Sequence, residues 1–147
     1  TASIQEALHN VLDLVSYEFS LDKIQIKNEP NPDLPSIQAD QRQLEEILFN
    51  LIVNACQAMK GGGTLEISSE ACNEKVVVRI SDTGTGIGAD QLKHLFEPFH
   101  TTKGTEGTGL GLYITKQFIE RSGVKILVES REEKGSTFIL EFKLAAD

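Results

Sequence analysis

Carboxamide side chains recur along one apolar stretch of the chain, LEEILFNLIVNACQAM at positions 44–59. At about 100° per residue, five polar side chains of a helix here share an arc of roughly 80°: Gln43, Glu46, Asn50, Asn54 and Gln57. A buried amide without a hydrogen-bond partner costs roughly 1 to 3 kcal/mol. These groups therefore either form a hydrogen-bonded network within the core or line a polar cavity that accepts a ligand.

Two glycine-rich segments are also able to contact a ligand. Ser81–Gly88 follows a predicted strand, and Glu106–Leu112 begins a predicted helix. Glycine lets the backbone approach a ligand closely, and the free N–H groups at a helix N-terminus can bind phosphate. Either segment alone is equally compatible with an ordinary turn, and neither has the spacing of a Rossmann, Walker or EF-hand motif.

The elements that position these residues follow from hydrophobic periodicity. One predicted helix ends near Tyr17, and three others span Leu44–Met59, Ala89–Phe96 and Leu110–Arg121. The predicted strands span Lys23–Lys27, Thr64–Ser69, Val76–Ile80, Lys125–Glu129 and Thr137–Leu144. Asp40 is the predicted N-cap of the central helix, Gly61–Gly63 its predicted end, and residues 100–108 a mobile loop. This order predicts an α/β sandwich (α+β) with a mixed, mostly antiparallel five-stranded sheet, one face of which is covered by three main helices.

Composition limits the class of protein. With 147 residues, 39% of them apolar, the chain is long enough for one domain spanning residues 1–147. A net charge of −8 disfavours binding to nucleic acid or to an anionic membrane surface. Because neither a signal peptide nor a membrane-spanning apolar run is found, we expect a soluble cytoplasmic domain, whether or not the parent protein is membrane-anchored.

Four motifs, taken in order, resemble a known family. They are N-L-I-V-N-A at 50–55, D-T-G-T-G-I at 82–87, L-F-E-P-F at 95–99 and G-T-G-L-G-L at 107–112. They are similar to the asparagine, first glycine, phenylalanine and second glycine boxes of sensor histidine kinases, in their catalytic and ATP-binding domain of the GHKL ATPase superfamily. The resemblance covers nearly the whole chain, from about Thr1 to Phe142, and implies the GHKL ATP-binding fold with ATP and Mg²⁺ as cofactors.

On the central helix, the resemblance implies that Asn54 is the ligand of Mg²⁺, a cation that prefers oxygen donors. Asn50 would face the phosphates or a metal-bound water and, with Lys103, would take part in catalysis. Many family members have Lys or Arg at the position of Gln57, so one expected phosphate contact is uncharged here. Lys103, from the loop that covers the nucleotide, would compensate.

On the loop side, the resemblance implies that Asp82 accepts a hydrogen bond from the adenine amino group and that Gly86 lets the base lie against the backbone. Gly84 and Ile87 belong to the same segment, and Thr137 would reach the adenine pocket from the sheet. The phosphate-side residues implied by the family are Thr102, Lys103, Gly107, Thr108, Gly109, Leu110, Gly111 and Leu112.

In this family, ATP phosphorylates a histidine on a separate dimerising helical hairpin, and the phosphoryl group then passes to an aspartate of a response regulator receiver domain. His9 is followed by Asn10-Val11-Leu12 rather than by the acid and proline of a phosphoacceptor motif. We therefore expect a fragment without the dimerisation and phosphoacceptor domain, monomeric in isolation, that binds Mg-ATP but does not phosphorylate itself.

Two other functions compete with this interpretation. The first is a nucleotide-gated module that binds a partner through the segment of Phe96 and Phe99 without phosphotransfer. The second is an ATPase of the mismatch-repair, gyrase or chaperone kind, which is disfavoured because those proteins have a catalytic glutamate at the position of Asn50.

Overall fold

The computed structural model describes residues 1–18, 23–29, 31, 33–59, 61–86, 116–117, 119–121, 123–131 and 133–145. The elements in these ranges are, in chain order, α1 (Ile4–Glu18), β1 (Ile24–Asn28), α2 (Gln41–Gln57), β2 (Gly63–Cys72), β3 (Lys75–Asp82), β4 (Lys125–Arg131) and β5 (Gly135–Lys143). Residues 116–117 and 119–121 are also helical, as the sequence predicted for the end of the segment 110–121. The predicted helix Ala89–Phe96 and the predicted loop 100–108 lie outside the described residues.

The strands form one five-stranded sheet in the order β1-β2-β3-β5-β4. β1 is parallel to β2, and the other neighbours are antiparallel. Parallel strands need a long crossover, which α2 provides between β1 and β2, whereas β2 and β3 form a hairpin. Its two turn residues, Asn73 and Glu74, have φ angles of 51° and 64°, the left-handed geometry that suits a two-residue hairpin turn. The predicted mixed, mostly antiparallel five-stranded sheet is confirmed.

The core lies between one face of the sheet and the two named helices. Alternate residues of β3 and β5, such as Val78, Ile80 and Phe138, are fully buried beneath the helices. On α2, the buried side chains are Leu44, Ile47, Leu48, Leu51, Ile52, Ala55 and Cys56. Phe49 and Val53 are partly buried and pack against the same core, so α2 is covered on most of its circumference.

The two ends of α2 are set by different contacts. At its start, the Asp40 side chain accepts a hydrogen bond from the Gln43 backbone N–H at 3.0 Å, so the predicted N-cap is confirmed. At its end, the helix stops at Gln57 with Ala58 as C-cap in a right-handed conformation, φ −74°. The glycines at 61–63 were predicted to end the helix, but Gly61 and Gly62 lie in the connection to β2, and Gly63 is the first residue of β2. No helix among the described residues is both long and apolar enough to cross a membrane.

Candidate nucleotide-binding site

The five polar residues that share one side of α2, Gln43, Glu46, Asn50, Asn54 and Gln57, form a polar ridge. This ridge extends to the C-terminal end of the helix. Asn50, Asn54 and Ala58 succeed one another at intervals of four residues and therefore lie along one line on the helix surface. Asn50, Asn54 and Gln57 are all half-buried, and each of these side chains makes at least one polar or electrostatic interaction. Gln43 and Glu46, nearer the start of the helix, are exposed. The buried part of the ridge is thus its C-terminal half.

Asp82 is the one buried carboxylate in the part of the chain that the structure describes. It is the last residue of β3 and only 5% exposed. Its Oδ1 accepts a hydrogen bond from the Gly84 backbone N–H at 2.9 Å, which folds the loop after β3 back over the carboxylate. Burial raises the pKa of the Cys56 thiol on α2, and the negative charge of Asp82 raises it further. Asp82 therefore lies close enough to α2 for its charge to act on the helix.

The loop after Asp82 is fixed against the C-terminal end of α2. The Thr85 N–H donates to the Ala58 carbonyl oxygen at 3.2 Å. A Cβ on Gly84 would overlap that same oxygen and lie 2.8 Å from the Ala58 carbonyl carbon. Because a helix leaves its last carbonyl groups without intrahelical partners, the loop amide satisfies a group that α2 cannot. This contact accounts for a helix that ends before the glycines.

Thr83 joins the same loop to the start of β2. Its hydroxyl oxygen accepts a hydrogen bond from the Thr64 N–H at 3.0 Å and lies 3.8 Å from the sulfur of Met59. A Cβ on Gly63 would lie 2.6 Å from that hydroxyl and 2.7 Å from the same sulfur, so the three residues pack without spare space. Segment 82–86 is therefore held from two directions, by α2 and by β2.

This arrangement can bind a group that donates hydrogen bonds. A carboxylate has about four lone-pair sites, so Asp82 can accept more than one hydrogen bond. An acceptor that is buried and fixed by its own loop costs little reorganisation when a donor binds. The exocyclic amino group of adenine is a donor of this kind.

Two adjacent hydroxyl residues of β5 lie beside the end of β3. Thr137 lies on the face of the sheet opposite to Asp82, where its hydroxyl is 2.7 Å from that of Ser81. Ser136 is the direct β5 partner of Asp82 and is 7% exposed, on the same face as the core residue Phe138. The contact of Thr137 with the adenine pocket stays a prediction. Strand alternation counted back from Phe138 places Ser136 on the face of Asp82.

The described residues also fit a magnesium ion held mainly by phosphate. Asn54 offers a carboxamide oxygen, the donor type that Mg²⁺ prefers, and Mg²⁺ in nucleotide sites usually has one or two protein ligands beside phosphates and waters. Among the described residues there is no group of three or more His, Cys, Asp or Glu side chains able to hold a metal ion.

The phosphate side of the predicted site is not part of the described structure. The predicted residues that lie outside it are Ile87, Thr102, Lys103, Gly107, Thr108, Gly109, Leu110, Gly111 and Leu112. Among the described residues, the structure brings Gly84 and Thr85, in the loop after Asp82, against Ala58 at the end of α2. It places Gly86 at the end of that loop, with a φ of 70°.

Comparison with known proteins gives a consistent result. A family model described as histidine kinase-, DNA gyrase B-, and HSP90-like ATPase matches residues 39–146. The sensor histidine kinase ZraS of Escherichia coli K12 is 41% identical over 133 residues, which cover 90% of this chain but only 28% of ZraS.

Solved structures with the same fold include two of the histidine kinase ThkA. Its nucleotide-free catalytic domain superposes with a TM-score of 0.83 at 35% identity, covering 96% of this chain and 92% of that one. ThkA in complex with the response regulator protein TrrA gives a TM-score of 0.81 at 32% identity, covering 97% of this chain and 41% of that one.

Proposed function

Because this chain belongs to the histidine kinase-, DNA gyrase B- and HSP90-like ATPase family, we propose that it binds Mg-ATP and supplies the γ-phosphoryl group to a histidine on a separate dimerisation and phosphoacceptor domain. The family resemblance that the four motifs indicate is confirmed by this match, and the fold is that of histidine kinase catalytic domains. The chain spans less than a third of ZraS, so phosphotransfer requires parts of a parent protein beyond this domain.

The observation that carries the proposal is the placement of Asp82. A buried carboxylate, fixed by the Gly84 amide and followed by a loop that contacts the end of α2, is suited to accept the adenine amino group. Adenine recognition at Asp82 and metal binding at Asn54 then both lie toward the C-terminal end of α2. A nucleotide is extended, so its base and its phosphates can reach these two residues at once. On β5, Ser136 lies beside Asp82 on the same face of the sheet.

Along the ridge, the residues divide between metal and phosphate. Asn54 would hold Mg²⁺, which would supply neutralisation of the phosphate charge when bound. Asn50, one turn earlier on α2, faces the phosphates, and Gln57 contributes a neutral amide where a cation is common in the family. Lys103 would supply the positive charge that Gln57 lacks, and the backbone amides of residues 107–111 would bind the phosphates.

The partners follow from the same chemistry. The phosphoacceptor is a histidine on the helical hairpin of the parent kinase, and the next acceptor is an aspartate of a response regulator receiver domain, as the ThkA–TrrA complex supports. We place the reaction in the cytoplasm, where ATP is available, and assign no nucleic-acid or membrane contact to this domain. The isolated domain is monomeric.

Calorimetry with a non-hydrolysable ATP analogue, with and without Mg²⁺, tests the binding part of the proposal. Binding that strengthens with Mg²⁺ supports it, and the absence of binding refutes it. Adding the phosphoacceptor hairpin together with radiolabelled ATP tests the transfer part. Acid-labile label on the hairpin is expected, with none on the domain alone; binding without transfer would favour a nucleotide-gated interaction module.

A further inference from the structure

The turn between β4 and β5 contacts the loop that follows Asp82. The Glu133 backbone N–H donates a hydrogen bond to the Thr85 carbonyl oxygen. Ser136, just after the turn, is the β-sheet partner of Asp82. The two ends of the segment 82–85 are therefore tied to a turn that is about fifty residues away in sequence.

Gly135 is where this turn lies closest to Asp82. It has a φ of +94°, in the left-handed region, and it is buried. A Cβ at this position would overlap the carbonyl oxygen of Asp82 and lie 3.0 Å from its carbonyl carbon and 3.1 Å from the Cα of Thr83. All three of these atoms belong to the backbone, so a side chain here displaces the strand end rather than a flexible group.

Gly123 provides a useful contrast. It also has a positive φ, +72°, but an added Cβ would meet only the Nζ of Lys143, at 3.8 Å. A Cβ on Gly61 would meet nothing within 4 Å. Alanine at Gly123 therefore adds the backbone strain of a positive φ without moving Asp82. Alanine at Gly135 adds the same kind of strain and also displaces the backbone of Asp82.

We propose that Gly135 and the β4–β5 turn act as a positioning device for base recognition: the bare Gly135 backbone sets the position of Asp82, and the Glu133 amide sets that of Thr85. Gly135 itself touches no ligand. The inference deepens the proposed function and rests on the role of Asp82 in reading adenine. Its physical basis is that a hydrogen bond weakens steeply when its acceptor moves away from ideal distance and angle.

The test compares the affinity for ADP with that for inosine diphosphate, which has a carbonyl oxygen where adenine has its amino group. The ratio of the two dissociation constants measures adenine preference separately from phosphate and metal binding. In Gly135→Ala, we expect the dissociation constant of ADP to rise about tenfold or more and the preference ratio to fall about fivefold or more. In Gly123→Ala, both quantities are expected to stay within about twofold of the parent.

A second pair of variants detaches the turn without adding a side chain at Gly135. One glycine inserted between Glu133 and Lys134 lengthens the β4–β5 turn and separates the Glu133 amide from Thr85. The matched control is one glycine inserted between Asn73 and Glu74, in the β2–β3 turn at the other end of β3. Surface turns tolerate such insertions, so circular dichroism is expected to show a folded domain in both, with loss of adenine preference in the first alone.

The outcomes separate the inference from the function on which it rests. If the parent domain prefers ADP and folded Gly135→Ala keeps that preference, the positioning role is refuted. If Gly135→Ala does not fold, the insertion in the β4–β5 turn decides, and an unchanged preference there also refutes the role. If the parent domain itself does not prefer ADP, the assignment of Asp82 fails and this inference fails with it.

Discussion

Replacing Asp82 with asparagine isolates one hydrogen bond of the proposed site. The introduced amide has nearly the same volume, and its oxygen can still accept the bond that Gly84 donates to Oδ1 at 2.9 Å. The other position changes from an acceptor to a donor. The loop geometry is therefore kept while the group that faces the adenine amino group is reversed.

The expected magnitude follows from the kind of bond lost. Asp82 is 5% exposed, so solvent does not replace a lost partner there. A hydrogen bond to a charged group contributes about 1.5 to 3 kcal/mol, which corresponds to an increase of about 10- to 150-fold in the dissociation constant for an adenine nucleotide. Inosine nucleotides present an acceptor to the new donor, so their affinity is expected to be kept or improved.

Isothermal titration calorimetry with paired adenine and inosine analogues measures both effects, and thermal unfolding reports the fold. Asp82→Ala is the comparison variant, because it also removes the acceptor for Gly84 and is expected to lower the unfolding temperature where Asp82→Asn does not. If the dissociation constant of Asp82→Asn for the adenine analogue is within about threefold of the parent value and the variant unfolds at the same temperature, Asp82 does not recognise the base.

Four further outcomes are expected. Asn54→Ala weakens binding of the ATP analogue about tenfold or more in the presence of Mg²⁺ and leaves Mg²⁺-free binding unchanged; equal loss in both conditions would contradict a metal-ligand role. Thr137→Val leaves nucleotide affinity within about twofold, because this side chain lies on the opposite face of the sheet from Asp82; a larger loss in the same titration would support the predicted contact of Thr137 with the adenine pocket. Leu51→Ala, at a fully buried position, lowers the free energy of unfolding in urea by about 2 to 5 kcal/mol. With a thiol reagent near pH 8, exposed Cys72 reacts at once, whereas Cys56 reacts only after unfolding, because burial and the charge of Asp82 raise its pKa and keep the thiol protonated; rapid reaction of both would contradict the burial of Cys56.

The sheet was predictable because its strands alternate in polarity. The predicted strand Val76–Ile80 lies within β3, and the predicted strand Lys125–Glu129 lies within β4. The predicted boundaries of these two strands differ from the observed ones by at most two residues, since strands end where pairing ends and pairing depends on the neighbouring strand. Three of the four motifs likewise lie close to the ends of predicted elements, where ligand-binding groups are common, and the motif at 50–55 lies within α2; together they were sufficient to indicate the family.

The prediction of Thr137 depended on which residue of β5 lies on the same face of the sheet as Asp82. Thr137 and Ser136 are adjacent hydroxyl residues, and the choice between them depends on which face of β5 is buried. Phe138 settles this in the structure, because a one-residue shift in a strand reverses the facing of every side chain. The C-terminal end of α2 was misjudged, since the group that completes it is the Thr85 amide, which is distant in sequence.

The sequence by itself determined the periodicity of the elements, the class of the sheet, the buried character of α2 and the motifs that indicate an ATP-binding domain. These properties depend on residues a few positions apart, within one helix or strand. Only the tertiary structure decided that the Asp82 loop is held by α2, by β2 and by the turn before Gly135. The contact of Gly135 with Asp82 joins residues on two strands, and its steric demand exists only when β3 and β5 pair in their observed register.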